Sequence, residues 1–170
     1  MTKDAVNKIE RMVITRIFDA PRELVWKAWT DPKYVTQWWG PKGFTAPDCK
    51  MDFRVGGKFL WCMKAPDGEV VGWNGGEYFE IVEHEKIVYS MYFADAEGNK
   101  LDPAQFGIEH EDIDDGCNVV TFEDFGDGQT KLTLIGNESM ENAKKSGQLE
   151  GWNEILEKVA AVVAGLAQEK

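Results

Sequence analysis

Hydrophobic and polar positions change period along this chain, and each change predicts an element. Residues 12–18 are rich in β-branched and apolar side chains and predict a first strand. Asp19-Ala20-Pro21 opens a helix, with Pro21 near the first helical position, where its missing N–H breaks no hydrogen bond. Val25, Ala28 and Trp29 share one face of that helix, which stops near Thr30. Asp31-Pro32 repeats the start signal, and a second short helix runs toward Trp38 and Trp39 before Gly40-Pro41 ends it.

From Phe44 the period becomes two. Cys49, Met51 and Phe53 alternate with Asp48, Lys50 and Asp52. Gly56-Gly57 predicts a bulge or sharp bend. Phe59, Trp61 and Met63 then alternate with Leu60, Cys62 and Lys64, and Pro66-Asp67-Gly68 turns the chain. Lys64 disfavours a core position for its own face, so the Phe59 set is the inward one. Further strands are predicted over residues 77–82, 87–93, 118–124 and 130–136, the last two joined near Asp127-Gly128.

The C-terminal segment has the strongest helical period. Leu149, Trp152, Ile155, Leu156, Val159, Val162, Val163 and Leu166 recur at helical spacing, with Ser139 as a cap. Gly147 and Gly151 sit inside the pattern. They mark either a bend and a close approach or simple tolerance of glycine, which costs about 1 kcal/mol relative to alanine.

One strand, two short helices, six strands and a long helix predict a two-layer α+β domain over residues 12–170, behind a polar, flexible tail at 1–11. Seven twisted antiparallel strands curl around the long helix, and a pocket between helix and sheet follows. Its candidate lining is Trp38, Phe59, Trp61, Met63, Trp73, Tyr89, Met91, Phe122, Trp152 and Leu156. Tryptophans suit such a wall, because a buried indole N–H needs a partner, although a plain core uses them too.

Residues 95–117 carry eight acidic side chains against one lysine and show no period. They predict a long solvated loop, with Leu101, Phe106 and Ile108 able to touch apolar surface as a flap beside the pocket mouth.

Charge narrows the function. A net charge of -11 repels phosphate backbones and anionic membrane surfaces, so neither nucleic acid nor membrane is an expected partner. Cys49, Cys62 and Cys117 match no zinc spacing and suit buried thiols in a reducing cytoplasm. No signal peptide or bilayer-length apolar run is visible. His84 and His110 lack partners at metal spacing. The acidic residues Glu109, Glu111, Asp112, Asp114 and Asp115 lack the order of a calcium loop and read as a solvated run. Nucleophile-elbow, Walker and dinucleotide patterns are absent, and neither cofactor nor metal is expected.

The order of short pieces resembles a known family. They are Ala20-Pro21 followed by Val25-Trp26, Thr30-Asp31-Pro32, Gln37-Trp38-Trp39-Gly40-Pro41 and Asp52-Phe53-Arg54-Val55-Gly56-Gly57. Pro66-Asp67-Gly68, Glu80-Ile81 before Glu85-Lys86-Ile87-Val88, Val120-Thr121-Phe122-Glu123 and Gly151-Trp152 complete the set. Over about residues 12–166 the chain resembles the activator of heat-shock protein 90 ATPase homologue-like family, within the START-like and birch-pollen-allergen-like helix-grip superfamily. The resemblance implies the helix-grip fold and a small pocket without a shared reaction. The co-chaperone that gives the family its name also carries an N-terminal domain, for which this sequence leaves no room. The expected function is therefore binding of a small apolar or aromatic ligand. A pocket enzyme of cyclase or hydrolase type and a co-chaperone-like partner-binding module are the alternatives.

Overall fold

The computed structural model describes residues 10–106 and 117–168. β1 (Arg11–Phe18) is followed by α1 (Arg22–Thr30) and α2 (Pro32–Trp38). Strands β2 (Cys49–Met51), β3 (Lys58–Lys64), β4 (Val70–Val82), β5 (Lys86–Tyr89) and β6 (Tyr92–Ala94) come next. A 3-10 turn at Pro103–Phe106 precedes the undescribed segment. β7 (Asn118–Gly126), β8 (Gln129–Ser139), α3 (Met140–Ser146) and α4 (Gln148–Gln168) complete the chain. One antiparallel sheet runs in the order β1-β8-β7-β5-β4-β3-β2, and β6 pairs with β4 beside β5.

The predicted elements are present; β7 and β8 run longer than expected, to Gly126 and Ser139, and four further changes of extent bear on the site. β1 starts at Arg11, whose guanidinium donates to the carbonyls of Gly136 and Cys117, so this residue belongs to the sheet rather than to a tail. β4 starts at Val70 rather than at residue 77, because the hairpin pairing with β3 continues through the glycine-rich stretch.

The predicted strand over 87–93 is two strands, β5 and β6, broken at Ser90-Met91. The break follows from β4. A Cβ on Gly76 would stand 2.0 Å from the Ser90 carbonyl oxygen and 2.4 Å from the Phe59 ring, so only glycine lets the backbones approach this closely. Ser90 Oγ accepts the Glu77 N–H at 3.1 Å, and the Ser90 N–H donates to the Glu77 carbonyl at 3.0 Å.

The C-terminal helix is also divided. Gly147 adopts φ 85°, a left-handed conformation that ends α3 and lets α4 leave in a new direction. Ser139 therefore caps the short α3, its Oγ accepting the Asn142 N–H at 3.0 Å, and not the long helix. Asp31 caps α2 as expected, accepting the Lys33 N–H at 3.0 Å.

The core lies on the inner face of the sheet. Phe122 faces Leu132 and Val120 faces Leu134 across β7 and β8, all four buried. The α4 stripe buries Ile155, Leu156, Val159, Val163 and Leu166. This helix packs chiefly on α1, α2, α3 and β1. Its mass therefore covers the β1 side of the sheet, while α2 reaches β2 at the far edge. The β3–β4 part of the inner face is met mainly by aromatic side chains, and those define the site.

Candidate functional site: an aromatic wall under the helices

Cross-strand register fixes which side chains share the inner face, because directly opposed residues point the same way. In β3 these are Phe59, Trp61 and Met63, opposed in β4 by Gly76, Asn74 and Gly72. Cys49 and Met51 of β2 stand opposite Trp61 and Phe59 and join the same face. β4 thus sets two glycines and one amide against three large side chains. A Cβ built on Gly72 would meet nothing within 4 Å, so this end of the wall is not tightly packed.

The rings form a closed circuit. Trp26 touches Phe53 (5.8 Å between centroids), Phe53 touches Tyr78 (5.0 Å), and Tyr78 touches Phe59 (5.3 Å). Phe59 touches Trp61 (4.7 Å), Trp61 touches Trp38 (6.0 Å), and Trp38 touches Trp29 (4.7 Å). Trp29 meets Phe122 (6.2 Å), and Phe122 returns to Trp26 (5.2 Å). Most contacts are edge-to-face, the arrangement that ring quadrupoles favour. The circuit joins β3, β4 and β7 to α1 and α2.

Trp152 closes this arrangement from α4. It stacks on Trp29 at 6.4 Å with an 8° interplanar angle and meets Trp39 at 5.7 Å. Trp39 in turn meets Trp61 at 5.0 Å, so Trp152 reaches the β3 wall through Trp39. It remains half-buried, at the boundary between wall and solvent. Lys158, one helical turn and a half further along α4, donates to the carbonyls of Gly40 (2.9 Å) and Phe44 (3.0 Å). That cation pins the loop after α2 onto α4, and burial lowers its pKa.

The remaining expected lining residues fall into three groups. Tyr89, Phe122 and Leu156 are buried in the core, and Met63 and Met91 are half-buried against it. Trp38 is fully buried, and its Nε1 donates to the Ala28 carbonyl at 2.8 Å, so it clamps α2 to α1 with its polar atom already engaged. Trp73 departs from the expectation. It opposes Cys62 in β3 and Ala94 in β6, which places it on the outer face with the Leu60–Cys62–Lys64 set. The cause is strand parity: once β4 begins at Val70, odd positions before the bulge at Tyr78–Glu80 point outward.

Trp39, which the tryptophan pattern already sets where helix, sheet and mouth meet, belongs to the wall, and sequence reasoning missed Asn74, Tyr78 and Cys49. Asn74 follows from its register with Trp61 of β3, a signal available only when β4 is extended to Val70, and Tyr78 follows from its pairing with Tyr89 of β5. His84 is half-buried rather than fully exposed and lies edge-on to Trp26 at 5.9 Å, in a turn where its φ is 65°. Of the flap expected over residues 95–117, the part at 107–116, with Ile108 and His110, lies outside the described residues, while Leu101 is described and donates its N–H to the Phe93 carbonyl at 2.7 Å.

The ionisable groups of the wall are held neutral. Burial first, then Asp48 and Cys62, pushes the Cys49 thiol up to about 12. Burial likewise raises the pKa of Tyr78, with smaller contributions from Tyr89 and Cys49, and burial alone raises Tyr89. At neutral pH Cys49 is a thiol, the weakly nucleophilic form. No disulfide joins Cys49, Cys62 or Cys117. Among the described residues no group of three or more His, Cys, Asp or Glu is placed to hold a metal ion. No helix among them is long and apolar enough to cross a membrane. A surface cleft of about 260 Å³ lies between the start of α1 and the β7–β8 turn, lined by Pro21, Arg22, Glu23, Asp124 and Asp127 with neighbouring glycines and Gln129. No aromatic ring lines it, and it is chemically unlike the wall.

A curved antiparallel sheet over a long C-terminal helix, with two short helices after the first strand, defines the helix-grip, START-like class of α+β fold. The chain belongs to the family described as Activator of Hsp90 ATPase homolog 1-like protein, which it matches over residues 19–164. Solved structures agree. A Mycobacterium smegmatis protein superposes with a TM-score of 0.74 at 25% identity, covering 92% of each chain. An Arthrobacter aurescens protein gives 0.74 at 25% identity, covering 94% of this chain and 92% of the other. An AHSA1-like protein from Aeromonas hydrophila gives 0.64 at 20% identity over 93% of this chain and 96% of its own. No functionally curated protein matches the sequence.

Proposed function

We propose that this protein binds a small apolar or aromatic molecule between the β3–β4 half of the sheet and the helices above it. The carrying observation is the closed aromatic circuit over a part of the inner face that α4 leaves to side chains. Membership of a family whose fold is commonly used for ligand binding supports the reading. Ligand-sized sites of this kind combine an apolar lining with a few placed polar groups.

Met63→Trp tests the proposal. Filling a true cavity leaves stability nearly unchanged, whereas overpacking a solid core costs about 1–3 kcal/mol. The parent protein is expected to bind an apolar fluorescent dye. The variant is expected to keep its urea midpoint and lose dye binding. A parent that binds no dye, together with a variant that unfolds at clearly lower urea, contradicts the proposal.

A further inference from the structure

Three polar atoms in the aromatic wall are buried and without partners: Trp39 Nε1, Trp61 Nε1 and the Tyr78 hydroxyl. Each parent residue is 4% exposed, so solvent does not serve them. Their neighbour shows what the fold does when it satisfies an indole, since Trp38 Nε1 donates to the Ala28 carbonyl at 2.8 Å. Buried donors in folded proteins nearly always have partners, and an exception calls for a specific cause. Among the described residues one further unpartnered buried atom, Asn137 Oδ1 in β8, lies elsewhere, and the other three cluster. Trp39 and Trp61 are ring neighbours at 5.0 Å, and Phe59 bridges Trp61 to Tyr78 with contacts of 4.7 and 5.3 Å.

We propose that the ligand of this wall is an uncharged, flat aromatic compound carrying carbonyl oxygens, and that at least one of these donors binds such an oxygen. The proposal rests on the ligand-binding reading above and deepens it. An indole nitrogen is a donor only, so two of the three atoms ask for an acceptor. The aromatic circuit selects a flat apolar skeleton. The polar groups near Tyr78 are Tyr89 and Cys49, both kept protonated by burial, and neither supplies a charge to pair with an ionic ligand. A site that buries donors also rejects the analogue lacking the acceptor, because binding that analogue leaves the donors unmatched.

9-Fluorenone and fluorene share a skeleton and differ at the carbonyl, which makes them the probe pair. Titrations followed by tryptophan quenching are expected to show fluorenone binding roughly tenfold more tightly than fluorene, the effect of about one net hydrogen bond. Simple hydrophobicity favours fluorene, so the sign alone is informative. The fluorenone carbonyl stretch is expected to move to lower frequency on binding. In Trp39→Phe, Trp61→Phe or Tyr78→Phe, whichever removes the donor in use, both the preference and the frequency shift are lost while fluorene binding persists. Tyr78→Phe is expected to fold at least as stably as the parent, since it deletes an unsatisfied hydroxyl, and this separates loss of binding from loss of structure. Equal affinity for the two probes overturns the acceptor proposal and leaves the apolar pocket standing. A preference that survives in all three variants also overturns it. Binding of neither probe overturns the pocket reading itself.

Discussion

Trp38→Ala is expected to lower the free energy of unfolding by about 3–5 kcal/mol, the range for deleting a large aromatic from a packed interior. Trp38 is fully buried and touches the rings of Trp29, Trp39 and Trp61. Its loss opens a void where α1, α2 and β3 meet. It also strands the Ala28 carbonyl, which accepts the Trp38 indole at 2.8 Å and sits deep between the two short helices. Urea denaturation followed by far-ultraviolet circular dichroism measures the change. Trp38→Phe separates the two contributions, because it keeps most of the ring packing and removes the donor, and a loss of about 1–3 kcal/mol is expected for it. If Trp38→Ala costs less than about 1 kcal/mol, the short helices are not clamped to the sheet through this residue, and the aromatic circuit is not the framework described above.

Gly76→Ala carries the second large effect. The new methyl would lie 2.0 Å from the Ser90 carbonyl oxygen, and backbone cannot step aside as a flexible side-chain end can. The Phe59 ring at 2.4 Å must move as well. Overpacking of this severity is expected to cost about 3 kcal/mol, at the upper end of the usual range. Displacement of Phe59 disturbs the wall, so dye binding is expected to fall with stability. Gly72→Ala is the matched control. It lies on the same strand and the same face, and its methyl meets nothing within 4 Å. Its expected change is within about 0.5 kcal/mol, as for a substitution that touches nothing. Equal losses in the two variants would show that the close approach of β4 to the Ser90 carbonyl is not what Gly76 permits.

These two residues also show what could be read from the amino-acid order and what could not. Alternation in β3 was legible because Lys64 marks the outward set, and Phe59 and Trp61 are indeed buried on the inner face. The α4 stripe was legible because its apolar residues recur over 21 positions of uninterrupted helix. Asp31 and Pro32 announced α2 through local chemistry alone. The glycine-rich start of β4 was not legible. Glycines at 72, 75 and 76 remove the side chains that reveal a period of two, and the signal that makes them a strand lies in β3 and β6 across the ladder. From that gap came the misplacement of Trp73, because its face is decided by Cys62 and Ala94 and not by its own neighbours in sequence. The same gap hid Asn74. The division of the last helix at Gly147 was half legible, since a glycine inside a helical period signals tolerance or a bend, and only its positive φ decides between them.

The most direct test of the ligand-binding account reads the wall itself. The seven tryptophans give seven indole N–H signals in a nitrogen-15 correlation spectrum, and the fold places them in different surroundings. Addition of 9-fluorenone is expected to shift the Trp39 and Trp61 indole signals with one saturable dependence. Trp152, at the half-buried edge of the same cluster, is expected to follow them. Trp73, on the outer face, is expected to stay in place. Saturable movement confined to the inner-face signals is the predicted result. No saturable shift at Trp39 or Trp61, or movement of Trp73 in their stead, would contradict a binding site between the sheet and the helices.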